Sequence, residues 1–527
     1  MLYYREQKEE HAYAKDHAMP ASTDPTEERF LSGRLFPPAK QFELASMELF
    51  RIEDGCRFVL KTENGQTGAE AGAALNELAR LFWKAEPRIV TEPLDIPVPG
   101  PEEYRLDVSE SEAVIRSAGR QGVLYALQTM RQLAENRRCA DGISRWLLPA
   151  VRIQDAPALK FRGLHLCFFP ETPPWEIERA IRLAAAYKYN CVILESWGTL
   201  RYSRHPEYCW DEYAQEPEFF RRLVRIAWSL GITLCPQLNL FGHASQSRGA
   251  TGKHALLDCH PEFDSLFEPD GWTFCLSNPD TRRFLADLVE ELLDIFENPP
   301  YFHIGCDEAT SACTCLDCRR NGGYAGLVKD HIVYFHDLLA KRGCRTLLWF
   351  DMFLLREGNK AVAPTGKGLQ DLYRELPRDL IVCDVEYGYL PSGDTPFEWA
   401  VSKTCHDLGY SVVVAPWDEP TGTESLCRHA AKLGLDGMLC TTWHHGNHPD
   451  MPLFFQTAGT FAWNPCAEDP SGKTGLFHRN LRFVCRDMGL KSYPMFGSAQ
   501  FQIAPQSFDS YDPPALRKIL RKLKVLT

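Results

Sequence analysis

Two adjacent acidic residues, Asp307 and Glu308, follow a short apolar run, Tyr301 to Ile304. Neighbouring side chains on a strand point to opposite faces, so an acid pair at the end of a strand is expected to reach two different atoms of one substrate. That arrangement suits a hydrolase. Because adjacent Asp-Glu pairs are usually acidic surface turns, the functional interpretation depends on the elements that position this pair.

Short apolar runs alternate with helical stretches from Phe161 onward. The strand candidates are eight such runs: Gly163 to Phe169, Cys191 to Leu194, Ile232 to Leu240, Tyr301 to Ile304, Thr346 to Phe350, Leu380 to Val385, Ser411 to Ala415 and Gly437 to Thr442. Eight strand-then-helix units within roughly 300 residues match the length and order of a (β/α)8 TIM barrel. A doubly wound α/β sheet uses the same alternation, and the chemistry at the strand ends favours the barrel.

Residues at the C-terminal ends of barrel strands face the active site. In this chain those positions collect acids and aromatics: Glu195, His243, Asp307, Glu308, Trp349, Asp351, Tyr387, Trp417 and Trp443, which is followed by His444 and His445. Aromatic rings stack on the apolar faces of pyranoses, and carboxylates accept hydrogen bonds from sugar hydroxyls. One tryptophan alone is more often a core residue, but recurrence at three strand ends predicts a small carbohydrate pocket.

Length and charge exclude several classes of protein. The chain has 527 residues, 44% of them apolar, and a formal net charge of −12, which provides no basic surface for nucleic acid or an anionic membrane. No apolar run is long enough to span a bilayer, and Met1 to Asp16 is charged where a secretory signal would be apolar. We therefore expect a cytoplasmic protein; its oligomeric state is not indicated.

Four regions are predicted along the chain. Residues 1–34 are polar and read as an N-terminal extension, and residues 35–152 as a small α+β domain. Within that domain, Gly122 to Leu133 is predicted to be a helix with one buried face and Arg131 on a polar edge. Residues 153–465 are the predicted catalytic barrel, and 466–527 a C-terminal extension that ends in a helix with a solvated basic face, Pro514 to Leu526.

The sequence resembles glycoside hydrolase family 20, the β-N-acetylhexosaminidases. His303 to Glu308 is similar to the family's His-x-Gly-x-Asp-Glu signature at the end of the fourth barrel strand. Arg162 to Leu166, Tyr187 to Asn190 and Pro236 to His243 resemble motifs at the first three strands, and the three strand-end tryptophans match the family's pocket aromatics. The upstream domain also resembles the small N-terminal domain of the family, so the likeness covers about residues 35 to 465.

The resemblance implies an exo-acting enzyme that works with retention by substrate-assisted catalysis, an exception to the usual two-carboxylate scheme. The substrate's own 2-acetamido oxygen attacks the anomeric carbon and forms an oxazolinium ion. Glu308 is then implied as the general acid and later the base, and Asp307 as the partner of the acetamide nitrogen. Tyr387, with Tyr389 as a rival, is implied to orient the acetamide oxygen, and no cofactor is expected.

Two departures from the family affect recognition of the sugar. Many members have an arginine at the end of the first strand, where this chain reads Phe168 to Glu171, and a glutamate after the last tryptophan, where this chain has His444-His445. The changes resemble the intracellular branch that includes hexosaminidase D. Either Glu171, Glu195 and His445 bind the hydroxyls or the preferred sugar differs, and gluco or galacto selectivity is not indicated.

Two further interpretations concern His243 and Arg162. His243 is expected to pair with Glu195 behind the acid, although the family's usual acid at that strand lies in an Asp-Asp-x-x-Trp segment that this chain lacks. Arg162 lies at the opposite end of the first strand from the missing arginine, so it is interpreted as a structural ion-pair partner.

The chain has nineteen cysteines, many of them in apolar runs, where a thiol behaves as a small hydrophobe. Cys313, Cys315 and Cys318 are closely spaced and would bind zinc if Cys259 or His260 supplied a fourth ligand. A second Cys-x-x-Cys pair is missing from the sequence around them. Reduced loop thiols are therefore the favoured interpretation, and no metal site is predicted.

Two functions compete with exo-hydrolysis of terminal N-acetylglucosamine or N-acetylgalactosamine. One is a non-catalytic carbohydrate-binding protein on the same scaffold, which the altered hydroxyl contacts would permit. The other is a family 20 hydrolase for a modified hexosamine or a disaccharide unit. Retention of both Asp307 and Glu308 favours an enzyme, because a protein that only binds has no need of the acid.

Overall fold

The computed structural model describes residues 25–139, 141–244, 256–321, 323–353, 369, 372–387, 400–417, 420–443, 451–468, 470 and 474–490. They form a mixed sheet domain followed by a closed barrel of parallel strands. Among these residues, none of the helices has the length and apolar character needed to cross a membrane. The predicted terminal helix, Pro514 to Leu526, lies outside the described residues.

The first domain is a seven-stranded sheet in the order β1-β7-β4-β5-β2-β3, with β6 paired to β7. Its strands are β1 (Gln41–Ile52), β2 (Arg57–Thr62), β3 (Arg88–Pro93), β4 (Tyr104–Val108), β5 (Glu112–Ser117), β6 (Glu135–Arg138) and β7 (Ser144–Asp155). Helices α2 (Gly65–Trp83) and α3 (Arg120–Leu133) pack on it. Within the predicted extension, Pro25–Ser32 forms helix α1, on which Leu31 is buried.

Helix α3 is confirmed as a helix, but its predicted polar edge is wrong. Every residue from Gly122 to Leu133 is buried, because α3 lies between the sheet and the barrel. Gln121 Nε2 donates to the carbonyl of Gly231 on the barrel side, 2.7 Å away. Arg131 is also buried and forms an ion pair of 2.5 Å with Asp487. Its charge, predicted to lie in solvent, is therefore paired inside the protein.

The second domain is a closed barrel of eight parallel strands in the order β8 to β15, which confirms the TIM-barrel prediction and excludes the doubly wound sheet. The strands are β8 (Phe161–Phe168), β9 (Cys191–Ser196), β10 (Thr233–Gln237), β11 (Tyr301–His303), β12 (Arg345–Trp349), β13 (Ile381–Tyr387), β14 (Ser411–Pro416) and β15 (Gly437–Cys440). Cys191, Cys235 and Cys383 are buried in the core cluster inside the barrel, as small hydrophobes would be.

Helices cover the outside of the barrel between its strands. They are α4 (Pro174–Ala186), α5 (Pro217–Ser229), α6 (Pro279–Ile295), α7 (Leu316–Asn321), α8 (Tyr324–Lys341), α9 (Ala400–Asp407), α10 (Pro420–Leu433) and α11 (Met451–Trp463). Helix α12 (Thr474–Asp487) follows and packs on α4, and two short 3-10 helices span Pro261–Leu266 and Leu372–Arg374. The helices leave the C-terminal ends of the strands open to the loops that build the site.

Buried ion pairs join the two domains below the barrel. The guanidinium of Arg162, 1% exposed on the side chain, lies 2.6 Å from Glu102 and also donates to Tyr125. Lys188 Nζ lies 2.8 Å from Asp155, which accepts a second bond from Trp463 Nε1. Arg162 therefore has the structural role predicted from its place at the start of the first barrel strand.

Candidate functional site

A pocket of about 390 Å³ opens at the C-terminal ends of the barrel strands. Its lining is aromatic and acidic: Cys167, Phe169, Glu195, Trp197, Asn239, His243, Asp307, Glu308, Trp349, Asp351, Val385, Trp417 and Trp443. The volume suits a ligand of the size of a sugar unit or two. All strand-end residues predicted to form the site, where the structure describes their side chains, line this pocket.

The other predicted site residues fall into two groups. The backbone of Tyr387 ends β13, but its side chain lies outside the described residues, as do Tyr389, His444 and His445. Glu171 is described but is not among the residues that line the pocket. The tyrosine role and the histidine contacts to sugar hydroxyls therefore stay predictions.

The loop that carries the two acids packs backbone to backbone against the loop after β10. Leu238 N and Leu240 N donate to the carbonyls of His303 and Ile304 at 3.1 and 3.0 Å. A Cβ on Gly242 would lie 2.1 Å from the carbonyl oxygen of Asp307, and one on Gly305 would lie 2.2 Å from Asn239 Oδ1. This close approach therefore requires glycine both in the segment His303 to Glu308 and in the segment Pro236 to His243. It also holds the acids against the neighbouring loop.

Asp307 and Glu308 lie beyond the strand, which ends at His303, so the alternation expected for a strand is wrong here. The backbone turns sharply, with positive φ at Gly305, Cys306 and Glu308. Both carboxylates face the same side chain: His243 Nε2 is 3.3 Å from Asp307 Oδ2 and 3.5 Å from Glu308 Oε2. The acids differ instead in depth, because the side chain of Asp307 is 12% exposed and that of Glu308 48%.

His243 is the cation of this group. Burial alone would lower the pKa of His243, but the charges and hydrogen bonds of Asp307 and Glu308 outweigh burial and raise it well above its usual value. The imidazolium thus offsets the negative charge of the two acids. The rings of Trp272 and Trp197 pack against it, with centroids 4.4 and 5.5 Å away.

The predicted pairing of His243 with Glu195 is wrong. Glu195 accepts a hydrogen bond of 2.6 Å from Asn239 Nδ2, and its second oxygen lies 3.2 Å from His165 Nε2 and 3.3 Å from the Cys167 thiol. Burial alone would raise the pKa of Glu195, but the hydrogen bond and charge of His165 dominate and lower it. Glu195 therefore anchors the wall of the pocket beside the acids.

Three tryptophans form the floor and sides of the pocket. Trp349 is fully buried, and its ring centroid lies 4.9 Å from that of Trp443 and 4.1 Å from that of His303. Trp417 also lines the pocket. The packed rings of Trp349 and Trp443 thus separate the pocket from the rest of the barrel core.

Five residues that line the pocket were not predicted from the sequence: Cys167, Phe169, Trp197, Asn239 and Val385. Asn239 lies within the segment Pro236 to His243, so its position just after β10 was a usable signal. Trp197 and Phe169 follow their strands by one residue, and their rings pack together with centroids 5.2 Å apart. Such positions lie just beyond the strand ends, so the last residue of each strand does not indicate them.

Asp351 supports the backbone of the acid loop and should make stability depend on pH. Its Oδ2 accepts a hydrogen bond from Glu308 N at 3.3 Å. Burial, followed by the charges of Asp307 and Glu308, raises the pKa of Asp351 well above its usual value. Above about pH 4, the folded chain therefore holds a proton that the unfolded chain has released, and the free energy of unfolding falls as pH rises.

Replacing Asp351 with asparagine should remove this loss of stability at higher pH. Each pKa unit between the folded and unfolded values corresponds to about 1.4 kcal/mol. We expect Asp351→Asn to flatten the fall of the unfolding free energy with pH above about pH 4, measured by urea denaturation. Asp330→Asn, at an exposed position on α8, is the matched control and should keep the wild-type slope. An unchanged slope in Asp351→Asn would show that Asp351 is ionised in the folded protein.

Two family models match the sequence. The model described as "Glycosyl hydrolase family 20, domain 2" matches residues 34–156, and the one described as "Glycosyl hydrolase family 20, catalytic domain" matches residues 182–443. The first covers the mixed sheet and the second most of the barrel, including Asp307 and Glu308. The two regions lie in the same order as the two domains of the structure.

Curated relatives and solved structures agree with these matches. A β-hexosaminidase from Akkermansia muciniphila is 26% identical over 367 residues, 60% of this chain and 71% of that protein. A β-hexosaminidase from Vibrio furnissii is 26% identical over 288 residues, 47% of this chain but only 45% of that protein. The exo-β-N-acetylglucosaminidase of Vibrio harveyi, solved with N-acetylglucosamine, superposes with a TM-score of 0.63 at 16% identity, covering 92% of this chain and 80% of that one. The superposition shows a shared fold.

Proposed function

Because this chain belongs to glycoside hydrolase family 20, we propose that it is an exo-acting β-N-acetylhexosaminidase that removes terminal N-acetylglucosamine or N-acetylgalactosamine with retention. The observation that carries the proposal is the pair Asp307 and Glu308, bridged by His243 beside a tryptophan floor. Relatives named as β-hexosaminidases support the substrate class. The pocket's closed floor supports exo action.

The different depths of the two acids support their different roles. Asp307 is the deeper acid, and its Oδ1 has no hydrogen-bond partner among the described residues, while Oδ2 faces His243. A buried acceptor of this kind is incomplete until a ligand supplies a donor. We assign that donor as the N–H of the 2-acetamido group, which Asp307 would hold while its charge stabilises the oxazolinium ion.

Glu308 is the acid at the rim of the pocket. About half of its side chain is exposed, so it can meet a leaving group that extends into solvent. Its position is fixed through the backbone, since Glu308 N donates to Asp351 and Glu308 O accepts from Trp272 Nε1 at 2.6 Å. In the proposed mechanism Glu308 protonates the glycosidic oxygen, and then takes a proton from the water that opens the oxazolinium ring.

The proposed function is tested with aryl glycosides. The chain should release aryl alcohol from an aryl N-acetyl-β-glucosaminide or N-acetyl-β-galactosaminide, and the ratio of the two rates reports gluco or galacto preference. The matching aryl β-glucoside, which has no acetamide, is the control and should be hydrolysed far more slowly. Tight binding of N-acetylhexosamine without turnover of any substrate would favour a carbohydrate-binding protein instead.

The close approach at Gly242 predicts that adding one methyl group, in Gly242→Ala, lowers activity strongly. In Gly242→Ala, the new Cβ would meet the Asp307 carbonyl at 2.1 Å and must displace the acid loop. A displacement of about 1 Å at reacting groups can lower turnover by about 100-fold, so a loss of that order in kcat/KM is expected. Gly326→Ala on α8, where nothing lies within 4 Å of the new Cβ, is the matched control and should keep wild-type activity. Equal activity of both variants would contradict the role of this contact.

We also propose that the protein works in a reducing compartment such as the cytoplasm. All nineteen cysteines lie in the described part of the chain, and none forms a disulfide. Disulfides are rare in reducing compartments, where buried thiols behave as small hydrophobes. Fractionation of the native host cells should recover the protein with cytosolic markers, and recovery outside the cell would contradict this placement.

A further inference from the structure

A cluster of thiols lies next to the acid loop, outside the substrate pocket. Cys275 Sγ is 3.6 Å from Cys315 Sγ and 3.7 Å from Cys318 Sγ. A carboxylate oxygen of Glu268 completes the group, with all four ligand atoms within 4.8 Å of one another. The partners expected from the sequence, Cys259 and His260, are not in this group. Cys275, which is 40 residues before Cys315, lies there instead.

The spacing of the sulfurs matches one ion shared between them. Disulfide sulfurs lie about 2.05 Å apart, so these thiols are not bonded to each other. A tetrahedral zinc ion with Zn–S bonds of about 2.3 Å separates its sulfurs by about 3.8 Å, close to the distances found. In addition, Cys318 N donates to Cys315 Sγ at 3.3 Å, which orients that sulfur and would stabilise its thiolate.

Glu268 is suited to be the fourth ligand. Its side chain is fully buried, and among the described residues no basic side chain forms an ion pair with it. Oε2 accepts bonds from Thr314 N, Thr314 Oγ1 and Cys315 N, whereas Oε1 accepts one, from Cys313 N, and keeps a lone pair. Burying an ionised carboxylate beside three thiols costs free energy when no cation is near. A divalent ion would offset its negative charge.

We propose that Cys275, Cys315, Cys318 and Glu268 form a structural zinc site. Three thiolates and one carboxylate are a ligand set that zinc accepts in closed, tetrahedral geometry. All four positions are filled by protein, so the ion would have no open position for substrate. The ion would therefore support the fold and would not take part in hydrolysis.

The site would join two loops that hold the catalytic residues. Glu268 and Cys275 belong to a hairpin in which Phe267 pairs with Phe274, and Cys315 and Cys318 follow the acid loop. The same hairpin carries Trp272, whose Nε1 donates to the carbonyl of Glu308, and Thr273, whose Oγ1 accepts from Ser311. Zinc would thus lock the hairpin to the segment that positions Glu308.

Metal analysis of the full chain tests the proposal. Protein purified after expression with added zinc should contain about one zinc per chain, and Cys275→Ser should contain none. Cys259→Ser, which removes an exposed thiol outside the cluster, is the matched control and should retain the ion. Removal of zinc by a chelator should lower Tm by roughly 5–15 °C, and re-addition should restore it. These readouts test the site whether or not the chain is a hexosaminidase.

A second measurement covers the case in which Cys275→Ser does not fold. Wild-type protein is stripped by the chelator and titrated with Co²⁺, whose near-ultraviolet charge-transfer band reports bound thiolates and whose visible bands report tetrahedral geometry. We expect saturation at one equivalent with the intensity of three thiolates. Wild-type protein that contains no zinc and gives no charge-transfer band would overturn the proposal, as would zinc that persists in folded Cys275→Ser.

Discussion

Replacing Glu308 with glutamine should lower kcat/KM for an N-acetyl-β-hexosaminide with a sugar leaving group by about 10²- to 10⁴-fold. Glutamine keeps the shape of the side chain but cannot give a proton to the glycosidic oxygen. Substrates with a good aryl leaving group need less protonation in the first step, so their first step should be affected less. Pre-steady-state kinetics with both substrate types measures this difference.

Glu262→Gln is the matched control for Glu308→Gln, because Glu262 is exposed and lies outside the pocket. It should keep wild-type kinetics with every leaving group. If Glu308→Gln retained full activity on the sugar leaving group, Glu308 would not be the acid. A loss that is equal for all leaving groups in the first step would point to a disturbed pocket instead.

Replacing Asp307 with asparagine should lower kcat by about 10²- to 10³-fold, the range found when one group that stabilises transition-state charge is removed. The negative charge that faces the oxazolinium ion would be lost, while the size of the side chain stays the same. A thiazoline analogue of that ion should therefore bind Asp307→Asn more weakly by a similar factor. Inhibition constants measured beside kcat check the correspondence.

Asp330→Asn is the control for this variant and should change neither kcat nor inhibition. The free N-acetylhexosamine product, which carries no developing charge, should lose less affinity for Asp307→Asn than the thiazoline does. Equal weakening of both ligands would assign Asp307 to ground-state binding. Unaltered thiazoline binding would contradict the role of its charge.

The barrel could be predicted because apolar runs, helical stretches and their order along the chain are local properties of the sequence. All eight predicted runs overlap the observed strands, with ends that differ by a few residues. The C-terminal ends of barrel strands share one face, so residues at those ends are predicted to line one pocket. Glu195, Trp349, Asp351, Trp417 and Trp443 all line it. Topology alone therefore accounts for most of the candidate site.

The errors concern contacts that local patterns do not contain. Asp307 and Glu308 lie on a loop with positive φ angles, where side chains do not alternate between two faces as on a strand. Both acids therefore lie next to His243. His165, three residues before the end of β8 at Phe168, takes the position beside Glu195 that was expected for His243. Arg131 reads as a surface residue because its partner, Asp487, is distant in sequence. Cys275 is missed for the same reason.

In the proposed mechanism the substrate's own acetamide is the nucleophile, and the rates for a series of N-acyl substrates measure its participation. Aryl β-glucosaminides carrying N-acetyl, N-fluoroacetyl, N-difluoroacetyl and N-trifluoroacetyl groups differ little in size, but each fluorine withdraws electrons from the attacking oxygen. We predict that kcat/KM falls steadily along the series. Values that stay constant across it would contradict acetamide participation and would require a nucleophile from the protein or from water.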